Sequence, residues 1–204
     1  MRTLAASILL IAVGCNGGPK IDDTPNQTGE ELNYVPGPYG YGKGSVIENL
    51  KFIAKWDPAG AAGTASYDQL PLKPLSLADY YNDKAVKYVV VSGNAGWCPP
   101  CNEEQKYVPG WQAKYEPKGF KFVQGLIQGY NARTGAPATE ADINRWQGDH
   151  DIHVAIGLDP EGRIHQFADV AAFPLNMIVR TSDMQIIYSE TGLRNLDATF
   201  ASLP

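Results

Sequence analysis

The sequence predicts an α/β protein in which a layered β-sheet carries helices on both faces. Strand-like and helix-like segments alternate through most of the chain, which is the pattern of such layered folds. Residues 87–93 form a near-continuous β-branched run, and this composition predicts a central strand covered on both sides. The 204 residues are enough for one sizeable domain and a tail, and their ordinary apolar content excludes a disordered chain.

The segments before this central strand are shorter and less apolar. Residues 50–56 alternate between apolar and polar side chains and predict a half-buried strand. Residues 57–74 are rich in Pro, Gly and Ala and predict a loop. Residues 75–81 predict a short helix with Ser76 as its cap.

A helix follows the central strand after a loop of four residues. It is predicted over residues 101–115, with Pro99 and Pro100 in its first turn, where a missing N–H costs little. The sequence Val-Pro-Gly at 108–110 predicts a kink or a break inside this helix.

The second half of the chain repeats the alternation of strands and helices. Residues 120–127 predict a strand, and residues 129–138 predict a loop rich in Gly. A helix is predicted over 139–146, because Thr139 can cap it and acidic residues occupy its first turn. The remaining predicted segments are a short strand (152–158), a hairpin of two strands (175–180 and 185–189) with a tight turn (181–184), and a closing helix (194–203).

The first residues have the composition of a secretory signal. Arg2 precedes an apolar stretch that is too short to span a bilayer, and Cys15 follows directly. Residues 12–15, Ala-Val-Gly-Cys, resemble the bacterial lipobox, which predicts a lipoprotein signal peptide at 1–14 and a lipid on Cys15. The alternative is an ordinary signal peptide that is cleaved nearby.

The lipoprotein interpretation predicts where the protein acts. Acyl chains on Cys15 would hold it to a membrane surface on the periplasmic side of a bacterial envelope. Residues 15–45 would form a tether, although their Tyr-rich part can instead pack on the domain that follows at 46–204. The net charge is −5 and no basic run is interleaved with aromatic residues, so no nucleic-acid partner is expected.

Three cysteines leave one pair, Cys98 and Cys101, once Cys15 is assigned to the lipid. Disulfide exchange needs an accessible thiolate and a second thiol that resolves the mixed disulfide. A helix N-terminus favours the thiolate of the first cysteine. We therefore expect Cys98 to be the exposed nucleophile and Cys101 to be the buried resolving thiol. Because two prolines separate them, the first free backbone donor after Cys98 is the N–H of Cys101.

Two other interpretations of this pair remain open. A zinc site needs about four ligands, and only the loosely spaced His150 and His153 could add to the two cysteines. A structural disulfide is the second alternative, although closing a loop of two residues gains little chain entropy.

The sequence Trp97-Cys98-Pro99-Pro100-Cys101, after an apolar strand and at a helix start, resembles the thioredoxin superfamily. Membrane-anchored proteins of the TlpA and ResA type are similar in layout, and the resemblance covers residues 46–204. It implies a thioredoxin-like fold with a central mixed β-sheet flanked by helices, after an N-terminal signal and linker. It also implies a thiol–disulfide oxidoreductase that acts on disulfides of envelope proteins, needs no organic cofactor or metal, and receives electrons from a partner dithiol protein.

The resemblance implies roles for four further residues. Pro174 would be the family's cis-proline, which binds the partner's backbone. Phe173 replaces the small residue or Thr that is common before it, and it would also contact the client and alter the choice of partner. Glu104, three residues after the second cysteine, would accept the proton of the buried thiol; the alternative is a plain surface Glu. Trp97 would shield the disulfide and line the client surface. Ser92 stands where thioredoxins carry a buried Asp.

Two other functions compete with disulfide exchange. Thiol peroxidases share related folds, but they usually place Thr and Arg next to a lone attacking cysteine, and no such cluster surrounds Cys98 in the sequence. The third possibility is a lipoprotein that uses the fold for binding alone. The intact pair of cysteines argues against this third interpretation.

Overall fold

The structure, a computed structural model, describes residues 33–57, 59–60, 63, 65–131, 135–168 and 172–204. The predicted signal peptide and the lipidation site at Cys15 lie outside the described residues. Within the described ranges, no helix combines the length and apolarity needed to cross a bilayer.

Seven strands form one mixed sheet with the order β2-β1-β5-β4-β3-β6-β7. The pairs β3–β4 and β4–β5 are parallel, and the other four pairs are antiparallel. The strands are β1 (Lys51–Lys55), β2 (Lys73–Ser76), β3 (Tyr88–Ala95), β4 (Phe120–Gln128), β5 (Ala155–Leu158), β6 (Leu175–Arg180) and β7 (Gln185–Thr191). The helices are α1 (Pro99–Glu104), α2 (Val108–Tyr115), α3 (Glu140–His150) and α4 (Asp197–Ala201).

Strand β3 lies in the interior of the sheet, next to its middle strand β4, as its composition predicts. Every residue of β3 is buried, and the strand pairs with β4 on one side and with β6 on the other. Its last residue, Ala95, lies two positions before Trp97 and three before Cys98. The central strand therefore delivers the cysteine pair to one end of the sheet.

The sheet separates two apolar clusters. The first contains the buried apolar residues of all four α-helices, together with Cys98 and Cys101. The second lies on the opposite face, where two short 3-10 helices (Leu77–Asp79 and Ile164–Phe167) contribute Leu77, Ile164 and Phe167. The predicted helical cover on both faces is thus confirmed. Among the described residues, the four α-helices cover the first face, and these two 3-10 helices cover the second.

All four predicted helices differ from the structure in their limits. The helix predicted at 139–146 extends to His150, and the closing helix predicted at 194–203 covers only Asp197–Ala201. The helix predicted at 75–81 is a 3-10 helix that begins only at Leu77, because Ser76 still pairs in β2. Ser76 nevertheless caps it, in a capping box with Asp79. The break predicted at 108–110 occurs just before those residues, so that Pro109 lies in the first turn of α2.

The Tyr-rich residues before the sheet contact its second face. The buried Tyr34 hydroxyl donates to the Ile47 carbonyl at 3.0 Å. The backbone N–H of Gly44 donates to the Ile186 carbonyl at 2.7 Å. Residues 33–45 of the predicted tether therefore pack on the domain, which is one of the two alternatives that the sequence allows.

Candidate active site at Cys98 and Cys101

Cys98 and Cys101 form a disulfide where the loop after β3 meets α1, with their Cα atoms 5.3 Å apart. Cys98 is the N-cap residue of α1, and its Sγ accepts a hydrogen bond from the backbone N–H of Cys101 at 3.2 Å. Pro99 and Pro100 occupy the first turn between them. The first backbone donor available to Cys98 is therefore that of Cys101, as the sequence predicts.

The exposure of the two cysteines only partly matches the expectation. Cys101 is fully buried, as expected of a resolving thiol. Cys98 is only 2 % exposed, so the expected exposed sulfur is wrong for the disulfide form. The physical reason is the bond itself: the Cys98 sulfur is joined to a buried partner and accepts its N–H, which turns it toward α1.

Trp97 and Phe173 meet beside the disulfide. Trp97 is 36 % exposed, and its indole N–H donates to Gln128 Oε1 at 2.8 Å. The Trp97 and Phe173 rings contact edge to face, with centroids 6.1 Å apart. The Phe173–Pro174 peptide bond is cis, as the resemblance implies. The structure thus brings Trp97 and the segment before Pro174 together, and Phe173 packs against the cluster that contains both cysteines.

His165 extends this aromatic group on its other side. Its ring stacks on Phe173 with centroids 4.5 Å apart and planes inclined by 7°. The His165 Nε2 lies 3.3 Å from the Ala172 carbonyl oxygen. Nothing in the spacing of residues 165 and 173 in the sequence indicates this contact.

Glu104 is buried, and the surface alternative for it is wrong. It is 1 % exposed, and its carboxylate accepts from Asn176 Nδ2 at 2.9 and 3.0 Å and from the Arg194 backbone N–H at 3.0 Å. Burial raises the pKa of Glu104 to about 7, although these hydrogen bonds lower it in part. A carboxyl group with this pKa exchanges a proton readily near neutral pH, one helical turn from Cys101.

Asn102 holds the loop that carries Cys98. Its side-chain Nδ2 donates to the Gly96 carbonyl at 3.1 Å and to the Cys98 carbonyl at 2.8 Å. His150 Nε2, from α3, lies 3.0 Å from Asn102 Oδ1. No pattern in the sequence indicates this contact, which joins residues 48 positions apart.

A second polar chain reaches the carbonyl of Cys101. The buried Trp146 indole N–H donates to Gln124 Oε1 at 2.8 Å, and Gln124 Nε2 donates to Gln105 Oε1 at 2.7 Å. Gln105 Nε2 in turn donates to the Cys101 carbonyl at 3.2 Å. The one sequence signal for this chain is a glutamine inside the apolar strand at 120–127.

The residues considered for a zinc site have other partners. His150 contacts Asn102, while His153 Nδ1 lies 3.1 Å from the buried Asp57 carboxylate. Nowhere in the described ranges do three or more His, Cys, Asp or Glu side chains group as metal ligands. Ser92, at the thioredoxin Asp position, is buried and accepts a hydrogen bond from Asn94 Nδ2 at 3.0 Å.

Solved structures match this architecture over most of the chain. A thiol:disulfide interchange protein from Bacteroides sp. has a TM-score of 0.53 and 18% identity, over 78% of this chain and 86% of that chain. The thioredoxin domain of a thiol-disulfide oxidoreductase from Bacteroides vulgatus has a TM-score of 0.51 and 17% identity, over 72% and 86%. The chain adopts the thioredoxin fold.

A third matching structure is that of a peroxiredoxin. The reduced 2-Cys peroxiredoxin of Plasmodium vivax has a TM-score of 0.58 and 9% identity, over 79% of this chain and 93% of that chain. At such identities the matches establish the thioredoxin fold and not the activity. No protein-family model and no curated protein matches the chain.

Proposed function

We propose that this thioredoxin-fold protein is a thiol–disulfide oxidoreductase that acts on disulfides of bacterial envelope proteins through Cys98 and Cys101. The observation that carries the proposal is the disulfide at the start of α1, with the buried carboxyl group of Glu104 one turn further on. A structural disulfide would need no proton acceptor beside it. A reacting pair needs one, because a thiol must lose its proton before it attacks.

The reduction of a client disulfide proceeds in two exchange steps. The Cys98 thiolate attacks one client sulfur, forms a mixed disulfide and releases the other client sulfur as a thiolate. The Cys101 thiol then gives its proton to Glu104 and attacks the Cys98 sulfur. This second step releases the client's remaining thiolate and forms the Cys98–Cys101 disulfide, so that two electrons pass to the client. A partner dithiol protein restores the reduced pair by the same exchange in reverse.

The client lies across Trp97, Cys98 and Pro174 in this proposal. Support comes from the partly exposed Trp97 ring, which contacts Phe173 directly before the cis-proline. The two aromatic rings offer an apolar surface to the residues that flank a client cysteine. Attachment to the periplasmic side of a membrane through a lipid on Cys15 is the location that we propose.

A thiol peroxidase is the second candidate, because a peroxiredoxin shares the fold. The contacts of Cys98 argue against this activity. In the part of the chain that the structure describes, the hydrogen-bond partners of Cys98 are Ala95, Cys101 and Asn102. None of these is the Thr or Arg that would activate a peroxide.

Parallel assays of insulin reduction and peroxide consumption test the proposal. The full chain should catalyse insulin reduction by dithiothreitol, and Cys98→Ser should abolish this activity while Cys15→Ser keeps it. Peroxide consumption that depends on Cys98, without insulin reduction, would instead support a peroxidase. Insulin reduction that survives in Cys98→Ser would overturn the proposal, because the chemistry would not depend on Cys98. Absence of both activities in the wild type would also overturn it and would leave a binding protein.

A further inference from the structure

The loop that carries Cys98 is joined to helix α3 by side chains outside the cysteine motif. We propose that Asn102 and His150 are positioning residues that hold the carbonyl groups around Cys98 and thereby set the reactivity of its thiol. This inference rests on the proposed disulfide exchange and adds two residues that act on the attacking cysteine without touching the client.

Asn102 satisfies two carbonyl groups that flank Trp97. Its Nδ2 has two hydrogens, and they reach the Gly96 oxygen at 3.1 Å and the Cys98 oxygen at 2.8 Å. The Cys98 carbonyl also accepts the backbone N–H of Asn102 at 3.1 Å. One side chain therefore fixes the backbone on both sides of the exposed Trp97.

His150 fixes the orientation of the Asn102 amide. Because both Nδ2 hydrogens go to carbonyl oxygens, Oδ1 must be the acceptor, and the His150 Nε2 at 3.0 Å must carry a hydrogen. The His150 ring lies edge to face against Trp146, with centroids 4.6 Å apart, and Trp146 is fully buried. The amide is thus held by a ring that is itself anchored in the core.

The two carbonyl groups affect the Cys98 thiolate because few hydrogen-bond donors stabilise the Cys98 sulfur. Pro99 and Pro100 have no N–H, and the Cys101 N–H is the one backbone donor that the structure shows on that sulfur within the described residues. A hydrogen bond from Asn102 Nδ2 offsets part of the negative potential of a carbonyl oxygen, which would otherwise disfavour the thiolate. Pairing both carbonyls with Asn102 reduces that effect and keeps the loop in the position in which Cys101 can donate.

Helix α3 also reaches the second cysteine. Trp146, one turn before His150, begins the chain through Gln124 and Gln105 that ends on the Cys101 carbonyl. The same face of one helix is therefore linked to the backbone of both cysteines. This arrangement favours a role in the site over an isolated packing contact.

Three variants of the reduced full-length protein test the inference. The measured quantity is the rate at which iodoacetamide alkylates Cys98, determined by mass spectrometry. Asn102→Leu and His150→Leu should each slow alkylation at pH 7 by about three- to tenfold, as expected when one or two hydrogen bonds are lost. His150→Gln should stay within about twofold of the wild type, because a glutamine amide nitrogen can replace the Nε2–H donor.

Asn49→Leu provides the matched control. Asn49 also bonds to backbone, since its Oδ1 accepts the Ala78 N–H at 2.9 Å, but Ala78 packs against the apolar cluster on the second face of the sheet. This variant should lose stability without slowing the alkylation of Cys98. Equal alkylation rates in the wild type and Asn102→Leu, equal slowing in Asn49→Leu, or no rescue by His150→Gln would overturn the inference.

The readout separates this inference from the proposed function. Alkylation needs no client and no electron donor, so it tests the two positioning residues even if the wild type fails to reduce insulin. A wild type that reduces insulin, with unchanged alkylation in Asn102→Leu and His150→Leu, would contradict the inference alone. A wild type that reduces no client would contradict the proposed function alone.

Discussion

The Asn176 amide nitrogen donates to both carboxylate oxygens of Glu104, at 2.9 and 3.0 Å, in the buried layer between β6 and α1. Asn176 and the Arg194 backbone N–H favour the ionised carboxylate, while burial favours the protonated form. Burial has the larger effect, and the pKa of Glu104 rises from 4.5 to about 7. The Glu104 carboxyl group can therefore take up or release a proton near neutral pH, as thiol exchange requires.

The first prediction concerns the pH dependence of stability. Because the folded-state pKa of about 7 exceeds the ordinary value of 4.5, the folded state binds this proton more tightly. The resulting stabilisation is fully present below pH 4.5 and is lost as the pH rises to about 7, with an upper limit of roughly 3 kcal/mol. Urea unfolding of the oxidised protein from pH 4 to 8 should show this loss.

The variant Glu104→Gln should remove this loss between pH 4.5 and 7, because its amide does not titrate. Glu103→Gln is the matched control, since Glu103 lies next to it in α1 but is exposed. Its stability should follow the same pH curve as the wild type. An unchanged curve in Glu104→Gln would show that Glu104 is not the group responsible.

The second prediction concerns the resolving step. Cys101→Ser should still form a mixed disulfide between Cys98 and a client but should not release it, because the second thiol is missing. Incubation with an oxidised client should therefore yield a covalent complex that is visible on a non-reducing gel. Treatment of the sample with dithiothreitol should reduce this complex to its two components. Complex formation through Cys101 in the variant Cys98→Ser, at a similar rate, would reverse the assignment of the two cysteines.

The third prediction concerns Phe173. Phe173→Ala removes the ring that lies between His165 and Trp97, and one aromatic pair contributes about 0.5–1.5 kcal/mol. The KM for an oxidised peptide with apolar residues beside its cysteines should rise by about two- to tenfold, with little change in kcat. A fall in kcat at constant KM would place Phe173 in the chemical step and not in client binding.

The fourth prediction concerns the buried glutamine chain. Gln124→Met conserves volume but leaves the Trp146 indole N–H and Gln105 Oε1 without their partners. The free energy of unfolding should fall by about 2–6 kcal/mol, since each of the two unpaired buried groups costs about 1–3 kcal/mol. Lys121→Met, on a half-exposed position of the same strand, should change it by about 0.5 kcal/mol or less. Urea unfolding of both variants at constant pH distinguishes these outcomes.

Much of the fold follows from local sequence. The β-branched run at 87–93 is buried from end to end as β3, because only a central strand can hide both of its faces. The hairpin of β6 and β7 and the helix cap at Thr139 are equally local and are confirmed. The limits of the helix predicted at 75–81 were wrong because pairing with β1 kept Ser76 in a strand.

The candidate site could be predicted only where a motif or a fixed spacing defines it. The pairing of Cys98 with Cys101 has such a signature, and the position of Glu104 follows from the family resemblance. The burial of Cys98 has no such signature. The contacts between Asn102 and His150, and between His165 and Phe173, join different elements. Such tertiary contacts leave no periodic pattern in the sequence.

The reduction potential of the Cys98–Cys101 pair tests the central proposal most directly. The full-length protein would be equilibrated with defined ratios of oxidised and reduced dithiothreitol or glutathione, and the oxidised fraction would be measured by alkylation. An exchanging pair should equilibrate reversibly at a potential between about −270 and −120 mV, the span of thioredoxin-fold dithiols. A pair that never equilibrates, or one below about −300 mV as in structural disulfides, would contradict a role in disulfide exchange.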